Sequence, residues 1–223
     1  MDNNSKAVSL ISLGYNDYIS ARYLIHGGYI IQGVTLASTA VEKYLKAILA
    51  FHGKEKKEMG VHLDKLDKIQ ELLSDCYFDI TKKIDERFLK ILGDAYRIRY
   101  YDTLKETTTI GFFLNQFIGE LDFIVNYIET KVIQGIQDGN GNNILTQYNR
   151  DINNKNKDLL LNNYLLAGIT KREHMEKVDN GYVIYLDPKN IIHGSLLAQS
   201  KNIINTYDDG RMTIIEINIK SII

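Results

Sequence analysis

Apolar residues recur at helical spacing through the first 137 residues of this chain, and no proline interrupts them; the single proline among 223 residues is Pro188. Such a chain has few options, because each amphipathic segment must bury its apolar stripe against another. In residues 5–26 the stripe is Ala7, Leu10, Ile11, Tyr18, Ala21 and Ile25. Gly27-Gly28 ends this helix, since glycine accepts the left-handed conformation that follows a helix end. Residues 29–52 carry a second stripe of Val34, Ala37, Val41, Tyr44, Leu45 and Ile48, and stop at Gly53. Within it, Ala37, Ser38 and Ala40 are small enough to admit a neighbouring helix closely. A shorter helix is predicted over 62–73 and a fourth over 79–100, with Ile80, Ile84, Phe88, Ile91, Leu92 and Ala95 inward. The fifth, over 108–137, places Ile110, Leu114, Phe117, Leu121, Ile124, Ile128 and Val132 on one face. Short connections between such segments predict antiparallel neighbours. The fold class is therefore mainly α, an up-and-down bundle of four or five helices.

The pattern changes at Asp138-Gly139-Asn140-Gly141-Asn142-Asn143, a glycine and asparagine turn or linker. Residues 1–138 read as the bundle and 139–223 as a small α+β appendage. Helices are expected there over 157–167 and 170–177, the second opened by a Thr170 to Glu173 capping box. Strands are expected over 181–186, 202–207 and 212–219, the last two joined by an Asp208-Asp209-Gly210 turn.

A formal net charge of -1 predicts no overall attraction to nucleic acid or membrane, so any such binding needs a local patch. The lone cysteine, Cys76, cannot form an internal disulfide and reads as a small residue on a helix face. No run reaches the roughly 18 apolar residues of a membrane span, and the first residues lack the pattern of a signal peptide. Cytoplasmic residence is expected, with no membrane partner. The histidines have no carboxylate or cysteine at ligand spacing, so neither a metal site nor a cofactor is expected. Arg22 and His26, one turn apart, are placed near the exposed end of the first helix.

Two groups of residues could carry chemistry. Glu42, Lys43 and Lys46 lie away from the stripe of the second helix, with Glu42 and Lys46 at pairing distance. Their plain reading is a solvated face with one weak ion pair. The second group is Tyr96-Arg97-Ile98-Arg99-Tyr100-Tyr101-Asp102. Arg97 points away from the core stripe, whereas Arg99 falls about 20° from Phe88 on the helical wheel. A guanidinium aimed at the core needs a carboxylate, a carbonyl or a ligand anion. Arginine with tyrosine also suits phosphate and base binding.

Together, the Tyr23 to Gly28 helix end, Ala40-Val41-Glu42-Lys43-Tyr44-Leu45-Lys46-Ala47, His62-Leu63 and Arg99-Tyr100-x-Asp102 resemble the HEPN family over about residues 5–135. The resemblance implies a helical bundle that dimerises through its long helices and binds nucleotide or nucleic acid. It also implies a role in toxin–antitoxin or phage-defence systems, often beside a nucleotidyltransferase partner. Active members are metal-independent ribonucleases with a histidine four to six residues after an arginine. No histidine follows Arg97 or Arg99 in that window, and Tyr101 stands where the binding subclass commonly has proline. The imidazole that would move protons is absent from the motif. The leading expectation is thus a non-catalytic binding homodimer with no catalytic residues. Arg99, Tyr100 and Asp102 would form its site, and Arg97 and Lys46 would act as further phosphate anchors. A divergent ribonuclease using a tyrosine or His193 is the alternative. A third reading makes the C-terminal part a winged-helix-like DNA reader.

Overall fold

The computed structural model describes residues 3–54, 60, 62, 65–76, 82–98, 108–133, 145–177, 179–186, 194–195 and 198–200. Over these residues the protein is a mainly helical bundle with a small sheet. Helices α1 (Asn3–His26) and α2 (Ile30–Phe51) form a tight antiparallel hairpin. Gly28 turns the corner at φ +83°, and the Tyr29 N–H donates back to the Leu24 carbonyl at 2.8 Å. A Cβ on Gly33 would lie 2.4 Å from Ile25 Cγ1, so glycine sets how closely the two helices approach. Ser38 continues the close packing on another side, its hydroxyl donating to the Leu92 carbonyl at 2.8 Å.

The short helix α3 (Leu66–Ser74) and helix α4 (Glu86–Ile98) follow. α3 starts four residues after His62, where the sequence placed its start. α4 begins at Glu86 rather than 79 because Asp85 caps it, accepting from the Arg87 N–H at 2.8 Å and the Phe88 N–H at 3.3 Å. Its stripe of Phe88, Ile91, Leu92 and Ala95 is buried as expected. Cys76 is buried in the turn after α3.

The fifth expected helix is corrected at its start. Strand β1 (Thr108–Phe113) precedes helix α5 (Leu114–Tyr127), which runs on into a π-helical turn, Ile128–Val132. Consecutive threonines, an isoleucine and two phenylalanines favour extended backbone. Ile110 and Phe112 are both buried, which fits a period of two; Ile110 alone also fits the helical stripe with Leu114 and Phe117. β1 pairs antiparallel with β2 (Asp179–Leu186), with Phe112 opposite Tyr182. Strands β3 (Gly194–Ser195) and β4 (Ala198–Ser200) both pair with β2. The sheet meets the helices through Phe112, whose ring lies 4.7 Å from Phe117; Phe117 in turn meets Phe88 edge-on at 5.2 Å.

Between α5 and the sheet lie helices α6 (Gln147–Asn153), α7 (Lys157–Leu160), α8 (Tyr164–Ala167) and α9 (Lys171–Met175). The single helix expected over 157–167 is two one-turn helices, because Asn156 and Asn163 each cap a new start and Asn162 takes φ +53° between them. The Thr170 and Glu173 capping box is present. The expected strands over 202–207 and 212–219 lie outside the described residues. α6 and α7 pack on α1, α8 and α9 pack on α5, and β1 pairs with β2, so these contacts bridge the expected division at 138.

The core holds an unusual number of charges. Arg22, expected near an exposed helix end, is fully buried. Its guanidinium pairs with Asp122 of α5, and it donates to the carbonyls of Asp158, at 3.0 Å, and Leu161. Burial works against the charge, but Asp122 outweighs it and keeps the guanidinium's pKa above its usual value. Tyr18 adds a hydroxyl donor to the same Asp122 oxygen at 2.8 Å. His26 is half-buried, and burial followed by the charge of Arg22 lowers its pKa to about 4. The exposed-end placement fails for Arg22 because segment 157–161 covers its guanidinium.

Tyrosines serve two of the other buried acids. Tyr44 donates to Glu129 at 2.7 Å, and Tyr15 donates to Asp151 at 2.7 Å. Among the described residues no cation pairs with Glu129, and burial raises the pKa of its carboxyl.

Two stability predictions follow from this polar core. Removing one partner of a buried ion pair costs about 3–5 kcal/mol, so urea melts of Arg22→Ala should show a loss of that size, while Arg22→Met with Asp122→Leu recovers part of it. The charged form of Glu129 is disfavoured on folding. Wild-type stability should therefore fall as pH rises through its raised pKa. Glu129→Gln, which keeps an acceptor for Tyr44, should match wild type at low pH and exceed it above that range in the same melts.

Candidate functional site

Glu42 and Lys46 stand one turn apart on α2, and their side chains pair at 2.7 Å. They do not form the solvated face that their spacing suggested: the side chains are 12% and 15% exposed. Lys43 turns toward α1 and pairs with Asp17 at 2.7 Å. The two lysines, three residues apart, thus take partners on different helices.

His62 joins Glu42 from the stretch ahead of α3. Its Nδ1 lies 3.0 Å from the same Glu42 oxygen that Lys46 contacts. An ionised carboxylate accepts there, so Nδ1 carries the proton and Nε2 is left as the basic nitrogen. The Tyr96 ring of α4 stacks on the imidazole, with centroids 4.8 Å apart and planes 23° apart. His62 is 42% exposed at its side chain, so ligand can reach it. Three separate parts of the sequence therefore meet at one place: the Glu42 to Lys46 turn, His62, and the C-terminal turn of α4.

Arg97, on that same turn, is exposed opposite the buried stripe, as its spacing predicts, and lies 3.6 Å from Asp94. Arg99, Tyr100 and Asp102 lie outside the described residues, as does His193. Lys46 against Glu42 and Arg97 against Asp94 each cancel.

The arrangement offers an imidazole held by a carboxylate, a lysine on the same carboxylate, and a tyrosine ring behind. These can contact a phosphate, stack against a ring, or exchange a proton at Nε2. Sequence spacing shows the Glu42 and Lys46 pair. It does not show that His62 completes it, because the two are joined through an intervening loop. Among the described residues no group of three or more His, Cys, Asp or Glu is placed to hold a metal ion, and no helix is long and apolar enough to cross a membrane.

The basic pair Lys171 and Arg172 is occupied internally. Lys171 pairs with buried Glu120, and Arg172 pairs with Glu176 at 2.7 Å. Compared with family models, with curated proteins and with solved structures, the chain matches none.

The contact between His62 and Glu42 fixes a ring tautomer that is directly measurable. In imidazole nitrogen NMR spectra, His62 of the wild type should show the Nδ1–H form when neutral. Glu42→Ala should return it toward the Nε2–H form that free histidine prefers, leaving the helical circular dichroism unchanged. A wild-type His62 already in the Nε2–H form would refute the assigned bond.

Proposed function

We propose that this chain is a HEPN-like module that binds nucleotide or nucleic acid without cleaving it. It works as a homodimer built through its long helices, within a toxin–antitoxin or phage-defence system that includes a nucleotidyltransferase. One observation carries the reading. Two of the pieces on which the resemblance rests, Glu42 with Lys46 and His62, are far apart in sequence, yet they meet each other and Tyr96 of α4 at one place. Arg99 follows the end of α4 by one residue. Arg99 and Lys46 then supply phosphate contacts, and Tyr96, Tyr100 and His62 supply ring surface.

A second reading is favoured by the hydrogen bond between His62 and Glu42. On this reading the imidazole missing after Arg99 in the sequence would be His62, which a carboxylate already orients. That arrangement suits a general base and supports a divergent metal-independent ribonuclease. DNA reading by residues 145–223 has less support, because Lys171 and Arg172 are paired with acids of the chain itself.

Titration of labelled RNA and of nucleotides against wild type, Arg99→Ala and Lys46→Ala separates these readings. The binding reading expects each variant to bind roughly tenfold more weakly, the loss of one charge-assisted contact. Equal binding by all three proteins removes the site. RNA cleavage that persists in chelator and disappears in His62→Ala replaces binding with catalysis.

A further inference from the structure

We propose that the outer face of α5 is a second site, a stacking groove for single-stranded nucleic acid. It takes its ligand class from the nucleic-acid reading above and shares no residue with the site at α2 and α4. Phe123 and Tyr127 stand one turn apart on this face. Both are half-buried, and their rings stack with centroids 6.2 Å apart and planes 26° apart.

Cations flank the pair on both sides. The Lys83 ammonium, arriving from the residues ahead of α4, lies over the Tyr127 ring at 5.8 Å. Lys171 of α9 lies over the Phe123 ring at 5.1 Å. Exposed Lys131 sits four residues past Tyr127, in the π-helical turn that continues α5.

The chemistry selects the occupant. An apolar partner helix has little use for a face bordered by lysines, whereas a nucleic-acid strand presents flat rings and phosphates together. Stacking on aromatic rings tolerates any base, and lysines act as point contacts to phosphate. The charge of Lys171 is balanced by Glu120, so phosphate contact falls to Lys83 and Lys131. An arriving base displaces the Lys83 ammonium from the ring, and that ammonium then reaches the adjoining phosphate.

The test uses the full chain with labelled oligo-U and oligo-dT of about fifteen nucleotides. The protein holds no tryptophan, so Tyr127→Trp places one indole in the groove. Its fluorescence should be quenched as oligonucleotide stacks on it. Tyr127→Leu should weaken binding roughly five- to hundredfold. Lys131→Ala, a surface change that leaves folding intact, should reduce the salt slope by about one. Binding of both oligomers supports a general single-strand groove; binding of oligo-U alone supports one that reads the 2′-hydroxyl.

Unquenched indole, together with Tyr127→Leu and Lys131→Ala that bind as wild type does, overturns the groove. If Lys46→Ala and Arg99→Ala still weaken binding in that case, the site at α2 and α4 stands alone. Groove variants that lose binding while Lys46→Ala and Arg99→Ala keep it support the groove and overturn the other site. Wild type that binds neither oligomer at low salt also overturns the groove, and nucleotide titration then judges the first site by itself.

Discussion

A fully buried guanidinium is costly unless every charge and donor around it is arranged in advance. Arg22 meets that condition by joining three segments. Asp122 of α5 supplies the counter-charge, and the carbonyls of Asp158 and Leu161 accept the other donors. Those carbonyls lie where α7 stops after one turn. A planar fork with five donors can reach all three partners at once, and a lysine cannot. The pair therefore does more than join α1 to α5. It gives the irregular stretch at 157–161 its hydrogen bonds, and that stretch in turn seals Arg22 from water. The Arg22 contacts thus tie the bundle to the segment that follows it.

The same logic extends through the tyrosines. Tyr15, Tyr18 and Tyr44 each bury a ring and present a hydroxyl to an acid, and Tyr148 does so to Asn126 at 2.8 Å. A phenol is suited to this, because its apolar body packs like phenylalanine while its end satisfies an acceptor. The carboxylates of Asp122, Glu129 and Asp151 would otherwise be stranded in the core. Each such bond links a different pair of elements, so sliding one helix along another breaks several together. Register in this bundle is set by polar contacts as much as by ridges and grooves.

The apolar periodicity made α1, α2 and the core face of α4 legible, because those helices bury one clean stripe. It misread β1 because Ile110 lines up with Leu114 and Phe117 at helical spacing as well as with Phe112 at strand spacing, and the partner strand that decides between them is roughly seventy residues away. Arg22 was misplaced for a related reason: its position next to a helix end looked exposed until residues 157–161 covered it. A signal was nonetheless present. Tyr15, Tyr18 and Arg22 share a face of the first helix, and Asp122 and Glu129, seven apart, share a face of α5. Donors on one helix and acids on another, each beside an apolar stripe, are a complementary set. At the candidate site the spacing of Glu42 and Lys46 was legible, whereas His62 was not, since loop geometry rather than helical periodicity brings it there.

Glu42 decides how that site can respond to a ligand. One of its oxygens serves both Lys46 and His62. On the binding reading, a phosphate competes with Glu42 for Lys46, and in most helices that exchange would strand a largely buried carboxylate. Here the imidazole already touches the same oxygen. As Lys46 turns to the phosphate, the hydrogen bond from His62 to Glu42 stays in place, and the stacked Tyr96 ring holds the imidazole there. The cost of releasing Lys46 is thereby reduced by a hydrogen bond that the carboxylate keeps. A lone pair four residues apart on a helix has no such second partner. The value of His62 to the site therefore lies in what it allows Lys46 to leave.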